Sequence, residues 1–204
     1  MNRRLIRHAI KLLVALAMLN AGIAPVHAAG QADEPLALML VATPELYDPV
    51  YGGTVLVASP LGNGQFLGFI INKPTITTLA EAFPEDGPSQ KVTAPIYLGG
   101  PAQVDAVFAL VQSRLSPGAG SIQLAPDLFV ALNGDTVDQI IEHESEHARF
   151  VRGAVIWQPG ELESEIKRGA WYVDEPATGL MMSKETDKLW KELVERMQVH
   201  REAI

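Results

Sequence analysis

The sequence predicts an α+β fold with a mixed, largely antiparallel sheet, on three observations. Short β-branched or aromatic segments outnumber helical ones. Two of them flank the tight loop Pro60-Leu61-Gly62-Asn63-Gly64, which forces antiparallel pairing. Strands and helices also follow one another irregularly, without the strict βαβ alternation of a doubly wound sheet. At 204 residues, 48% hydrophobic and 20% charged, the chain suits one domain with a real core rather than a disordered tail.

The elements follow in order. Leu36–Ala42 is an apolar run of strand length closed by Thr43-Pro44. Thr54–Ser59 and Gln65–Asn72 are the strands flanking the tight loop, where Gly and Asn tolerate positive φ. A short helix at Thr77–Ala82 takes Thr77 or Thr78 as its cap. Pro95–Leu98 and Asp105–Val111 read as strands separated by Gly99-Gly100-Pro101, and Phe129–Leu132 as a further one. Between them, residues 113–126 are rich in Ser, Pro and Gly and read as an exposed loop. Asp135 is positioned to cap a helix from Thr136 to about His147, with Val137, Ile140 and Ile141 on one face. Phe150–Trp157 and Trp171–Val173 are strands around a helical turn at Gly160–Arg168. Ser183 then caps a last helix, Lys184 to about His200, whose buried stripe is Leu189, Leu193 and Met197 with Trp190 and Val194.

The first 28 residues read as an address. They hold Arg3, Arg4, Arg7 and Lys11 and no acid, then an apolar stretch from Leu12 through Ile23, then Val26 and Ala28 as the small residues before a cut between Ala28 and Ala29. These are the three parts of a secretory signal. The apolar stretch is shorter than the ~20 residues a span needs and contains Asn20, so a cleaved signal is expected rather than an anchor. A polar leader, residues 29–35, then precedes a single domain from 36 to 204. The mature chain is expected to be periplasmic or secreted, with no stable membrane span. Its charge changes with the cut: 12 of the 16 basic residues and all 24 acidic ones remain, a net of −12.

Composition excludes several chemistries. The chain has no cysteine, which removes thiol catalysis, disulfides, Cys-ligated zinc and iron–sulfur clusters. No run of basic residues offers the concentrated positive footprint that a phosphate backbone requires, so nucleic acid is not an expected partner. No Gly-rich phosphate-binding motif occurs. His143-Glu144-Ser145-Glu146-His147 does form an H-E-x-x-H. On a helix, His143 and His147 would share a face and could bind one zinc while Glu144 polarises its water, with a third ligand from Glu161, Glu163 or Glu165. Against this, Glu146 lies between the ligands, and the string Glu142–Arg149 is so rich in charge that it reads as a solvated helix end, with His147 near the negative end of the dipole. Glu161, Glu163 and Glu165 read as a wet helix face. Asp48 and Asn72, at strand–loop junctions, suit turn and cap hydrogen bonding, or a site. No cofactor is expected.

Four blocks carry a resemblance. Ala42-Thr43-Pro44-Glu45-Leu46-Tyr47-Asp48-Pro49-Val50-Tyr51 with Gly52-Gly53-Thr54-Val55, then Gly68-Phe69-Ile70-Ile71-Asn72-Lys73-Pro74, then Pro95-Ile96-Tyr97-Leu98-Gly99-Gly100-Pro101, and Trp157-Gln158-Pro159-Gly160-Glu161-Leu162-Glu163-Ser164-Glu165-Ile166 followed by Ala170-Trp171, occur in this order across nearly all of the mature chain. Together they resemble the YqgE/AlgH family of bacterial proteins. The resemblance implies a sheet curled into a pseudo-barrel packed by helices, and it implies no activity; the family's association with transcriptional regulation is a label without residues to carry over. The chain departs from the family pattern at Asp105–Val111, where many members have an Arg-Gly-Phe run ending in His, and at Glu161, where they have Gln. The H-E-x-x-H is not a family feature.

The expected function is a non-enzymatic binding or regulatory module of the cell envelope. Its surface is expected at the loops Pro44–Tyr51, Asn72–Thr75 and Gly99–Pro101, with Asp48, Asn72, Lys73, Gly99 and Gly100 as binding residues for a protein or small molecule. A zinc-dependent hydrolase on His143, Glu144 and His147 is the alternative, and a transcriptional regulator a further one by family label.

Overall fold

The computed structural model describes residues 37–202. The signal 1–28 and the leader 29–35 read from the sequence lie outside the described residues. Strands β1 (Leu38–Ala42), β2 (Val55–Gly62) and β3 (Gln65–Ile70) form an antiparallel meander. Along β1, Met39 and Val41 enter one core and Leu40 and Ala42 another; along β2, Val55 and Val57 part in the same way from Leu56 and Ala58. Burial on both faces is why these segments read as unbroken apolar runs instead of alternating ones. The β2–β3 turn comes at the expected place but is tighter, because β2 runs on through Pro60-Leu61-Gly62 and only Asn63 and Gly64 lie between the strands. Its φ values are 88°, 53° and 75° at Gly62, Asn63 and Gly64.

The long strand β9 (Ala148–Trp157) is the spine of the sheet. Strand β6 (Ala102–Gln112) runs antiparallel along one edge of it. Its other edge is divided: β5 (Pro95–Leu98) pairs in parallel with the Val151–Arg152 half, and β3 pairs antiparallel with the Val155–Trp157 half. Beyond these lie β4 (Pro74–Thr78) on β5, β8 (Leu128–Ala131) and β7 (Ser121–Ala125) after β6, and β10 (Trp171–Asp174) outside β1. One parallel pair among antiparallel neighbours makes the sheet mixed. It is strongly curled into a half-barrel, and the curl brings β7 back into contact with β2.

Helices close the two faces. Helix α5 (Thr186–Glu202) fills the hollow, its Leu189, Leu193 and Val194 packing with Met39, Val57, Phe69 and Leu110, while Trp190 and Met197 lie half-buried at the margin. Helices α1 (Leu79–Ala82) and α2 (Gly134–His143) cover the opposite face around Ile96, Val111 and Phe150. Helix α3 (Glu161–Lys167) inserts Leu162 against Leu40, Leu56, Ile70, Trp157 and Trp171. A single-turn helix, α4 (Thr178–Met181), leads into α5 and buries Met181. Among the described residues no helix is long and apolar enough to cross a membrane.

Several expected boundaries move, for local reasons. Thr78 caps α1 in a reciprocal box with Glu81. Asn133, in extended backbone, caps α2 in place of Asp135, whose own N–H donates to the Asn133 side chain at 2.9 Å. The stretch 113–126 is not all loop, because Ser121–Ala125 pairs with β8 as β7. Ser183 does not cap α5, which starts at Thr186; its hydroxyl instead accepts from the Glu185 N–H at 3.2 Å in the approach to the helix.

The start of α4 is tied to the β7–β8 turn. Thr178 Oγ1 donates to Asp127 Oδ1 at 2.5 Å and Gln112 Nε2 donates to Oδ2 at 3.1 Å. The Thr178 hydroxyl first, and then Gln112, hold the Asp127 carboxyl below its ordinary value. A depressed folded value means that this contribution is present above the unfolded pKa and lost as pH falls through the folded one. Thr178→Val should raise the Asp127 midpoint toward the usual carboxylate range in a carbon-detected NMR titration. An unmoved midpoint would show that the hydroxyl does not hold the charge.

Candidate functional site

The expected binding residues are largely occupied with the fold. Asp48 Oδ1 accepts from the N–H groups of Val50 and Tyr51, both at 2.8 Å, and shapes the loop between β1 and β2. Asn72 is buried; its Oδ1 accepts from Val55 N–H at 2.8 Å and its Nδ2 donates to Gly53 O at 3.0 Å, pinning the same loop from the other side. Lys73 is half-buried beside them, its Nζ 3.6 Å from where a Cβ on Gly53 would lie. Asp48, Asn72 and Lys73 therefore converge on one loop. Gly99 and Gly100 sit apart from it, wedged against the backbone of β9, where a Cβ on Gly99 would stand 2.2 Å from Gly153 O.

The H-E-x-x-H does not lie on one helical face. Helix α2 ends at His143, Glu144 leaves helical geometry at φ −132° and ψ 16°, and Ser145–His147 form a separate tight 3₁₀ turn. The i,i+4 relation that would bring two imidazoles to one metal is thereby broken. His143 Nδ1 lies 3.0 Å from Gln139 O within its own helix. Among the described residues no cluster of three or more His, Asp or Glu side chains is arranged to hold a metal. Residues 142–147 are a largely solvated helix end, but Arg149, the last of the charge-rich string, is buried in β9. The expected helix to His147 is four residues too long for a chain whose next residue, Ala148, already opens β9.

A cavity of about 560 Å³ lies instead where the β1–β2 loop, the end of β9 and α3 meet. Tyr51 comes from the loop, Trp157 from the last position of β9, and Glu161, Ser164, Glu165 and Arg168 from α3 and its C-terminal edge. The local sequence builds it directly. Gly160, at φ 82°, turns the chain out of β9, and the Glu161 carboxylate accepts from Gln158 N–H at 2.7 Å to start the helix. Four residues on, Glu165 faces the same way and its Oε2 accepts from both the Trp157 and the Trp171 indole N–H, at 3.0 and 2.8 Å. Trp171 in turn meets Tyr51 edge-to-face, with ring centroids 6.1 Å apart. Burial first, then the charges of Glu165 and Asp48, raise the Tyr51 phenol above its ordinary value, so it stays protonated. Arg168 donates to Ser164 Oγ at 3.1 Å.

Glu165 is thus not part of a wet face; it is the polar centre that two indoles share. Of these residues the sequence points to Tyr51 only as the end of the loop Pro44–Tyr51 and to Glu165 only as a possible third zinc ligand, and it does not point to Arg168. The signal was present in the spacing: on a helix, Glu161 and Glu165 lie on one face, and Trp157 and Trp171 bracket them.

Comparison with known proteins agrees with this architecture. The AlgH-like family model (DUF179) matches residues 39–202. A UPF0301 protein of Chlorobaculum tepidum is 28% identical over 159 residues, 76% of this chain and 83% of that one. Another from Streptomyces avermitilis is 27% identical over 169 residues, 78% of this chain and 85% of its own length. Among solved structures, the AlgH protein of Pseudomonas aeruginosa superimposes with a TM-score of 0.66 at 25% identity, covering 82% of this chain and 92% of that one. A protein of Corynebacterium diphtheriae shares the fold at a TM-score of 0.65 and 19% identity, over 82% of this chain and 89% of its own. A family model spanning almost all of the described residues, and a curled sheet shared with solved relatives, have one consequence: this chain belongs to the AlgH-like family.

Proposed function

We propose that this AlgH-like protein is an exported, non-enzymatic binding module whose ligand site is the cavity between the β1–β2 loop and α3. The observation that carries the reading is the convergence of a phenol, two carboxylates, a hydroxyl and a guanidinium on one cavity of about 560 Å³, without an imidazole among its lining residues. Such a set can orient a ligand by hydrogen bonds and charge. Its lining residues show no hydrogen-bonded pair of nucleophile and base of the kind that covalent acyl transfer uses.

Three indoles offer the test, because the chain has three tryptophans. Trp157 and Trp171 donate to Glu165 at the cavity, whereas Trp190, which does not line it, donates to Ala42 O at 2.7 Å. Small-molecule fractions of the native envelope, titrated into ¹⁵N-labelled protein, should shift the first two indole signals and leave the third. No shift from any fraction would abandon the cavity as a site. Stoichiometric zinc in the purified protein, lost in His143→Ala, would restore the hydrolase.

The export half of the proposal rests on the basic, apolar and small-residue order of residues 1–28, which precede the family match at residue 39. The mature protein should be found in a periplasmic or secreted fraction with Ala29 as its first residue. A cytoplasmic protein starting at Met1 would overturn that half alone.

A further inference from the structure

We infer that the cavity takes a small organic cation, an alkylammonium or guanidinium group seated against the Glu165 carboxylate beneath the Tyr51 ring. This rests on the cavity being the binding site proposed above and adds the class of ligand to it.

One carboxylate at the cavity, Glu165, has no ion-pair partner among the described residues. Glu165 is half-buried, and both of its hydrogen-bond donors are neutral indoles, so its negative charge is solvated without being cancelled. Among the described residues the ion pairs are Arg152 with Asp105 and Arg196 with Asp174, neither of which lines the cavity. Arg168 does line it, yet its bond goes to Ser164 Oγ and not to a carboxylate. The indoles fix the position of the carboxylate rather than neutralise it, which is the preorganised arrangement that favours an incoming positive charge.

The second part is the phenol. Tyr51 is half-buried at the cavity, and its hydroxyl has no hydrogen bond to any described residue. Kept protonated by burial and by the neighbouring carboxylates, it offers lone pairs to an N–H donor and a ring edge packed on Trp171. An ammonium carries three donors and a guanidinium five, and neither carries an acceptor. The cavity offers such a group two acceptor-only carboxylates, Glu165 and Glu161, and the lone pairs of Ser164 Oγ and Tyr51 Oη around one space. A carboxylate ligand would find one cation, Arg168, and two hydroxyl donors, and would face both glutamates.

The test uses the mature protein at physiological ionic strength, with putrescine and agmatine as cationic probes, glutarate as the anionic one and glucose as the neutral one. The cations should shift the Trp157 and Trp171 indole signals saturably and leave Trp190 in place. Glu165→Gln keeps an amide oxygen for the two indoles and removes the charge, so it should weaken both cations by at least about tenfold. Tyr51→Phe, which keeps the ring on Trp171, should weaken them about threefold and carries the test if the Gln variant does not fold. Equal binding by Glu165→Gln, or unsaturable shifts that include Trp190, would overturn the inference by showing diffuse attraction to an acidic surface. Shifts from glutarate or glucose with none from the cations would overturn the cation and keep the site. Silence from every probe would remove both.

Discussion

Arg149→Leu should destabilise the protein by about 3–5 kcal/mol and lower its melting temperature by roughly 10 °C. Arg149 is 5% exposed, yet it has no carboxylate partner. Its Nη1 donates to Ile71 O at 2.7 Å and Met181 O at 2.6 Å, Nη2 donates to Ser183 O, and the guanidinium carbon lies 4.4 Å from the centre of the Tyr97 ring. Burial pushes its pKa down, opposed by Tyr97. The residue remains a cation because arginine does not deprotonate in proteins. Its charge is compensated by carbonyl dipoles and a ring face alone. Removing the fork leaves two buried carbonyls and one half-buried one without this donor, each costing about 1–3 kcal/mol before water or relaxation recovers part of it. Arg149→Lys retains charge and loses the planar fork, so it should fall between the two at about 1–3 kcal/mol. The loss should also be local first: hydrogen exchange at Leu180–Ser183 should accelerate before the β1–β3 meander does, because those are the carbonyls that tie α4 to the spine strand. A change below about 1 kcal/mol with unaltered exchange would mean that the fork does not hold α4 down.

How far the sequence could foresee this depends on the range of the interactions. The β1 and β2 runs, the Gly62-Asn63-Gly64 turn and the α5 stripe are local patterns, and each is where it was expected. Strand β7 was hidden because Ser121-Ile122-Gln123-Leu124-Ala125 is short and lies beside Ser/Pro/Gly-rich sequence, and its pairing comes from β8. Arg149 was hidden more thoroughly. In sequence it closes a charge-rich helix end, while its carbonyl partners lie 78, 32 and 34 residues away. The same range explains the H-E-x-x-H: the pattern predicts a continuous helix, and β9, pairing with β5 and β6, takes the chain from Ala148 onward. At the candidate site, Asn72 does lie just past a strand end, whereas Asp48 lies in the middle of the β1–β2 loop, and both hold that loop by the turn and cap hydrogen bonds their residue types suggest. Glu165 was legible as a helix partner of Glu161, but its role required knowing that β10 places Trp171 beside Trp157.

Gly153→Ala should cost at least about 3 kcal/mol and is the substitution most apt to prevent folding altogether. Three strands meet at this point of β9. Gly99 N–H donates to Arg152 O at 2.7 Å and Gly99 O accepts from Ile70 N–H at 2.8 Å, so the ends of β5 and β3 are sewn to the spine where its outer edge passes from one to the other. The backbones come too close for side chains. A Cβ on Gly153 would stand 2.2 Å from Gly100 O and 3.0 Å from Ala102 O, and the residue has φ +78°. A Cβ on Gly99 would meet Gly153 O at 2.2 Å, and one on Gly100 would meet the Ala154 carbonyl at 2.3 Å. Opposite, β6 bulges between Ala102 and Val107 to accommodate the kink. Strain and collision separate cleanly by substitution. Gly87→Ala meets open space and should change stability by less than about 0.5 kcal/mol. Gly62→Ala meets open space at φ +88° and should cost about 1–2 kcal/mol from backbone strain alone. Gly99→Ala adds the collision without the strain, and Gly153→Ala suffers both. Urea midpoints should therefore fall in the order Gly87→Ala, Gly62→Ala, Gly99→Ala, Gly153→Ala. A Gly153 variant no worse than the Gly62 one would mean that the spine can shift to admit a methyl group. In that case the Gly99-Gly100 pair would be free for the ligand role the sequence suggested; with the expected order, these glycines are required by the junction of three strands.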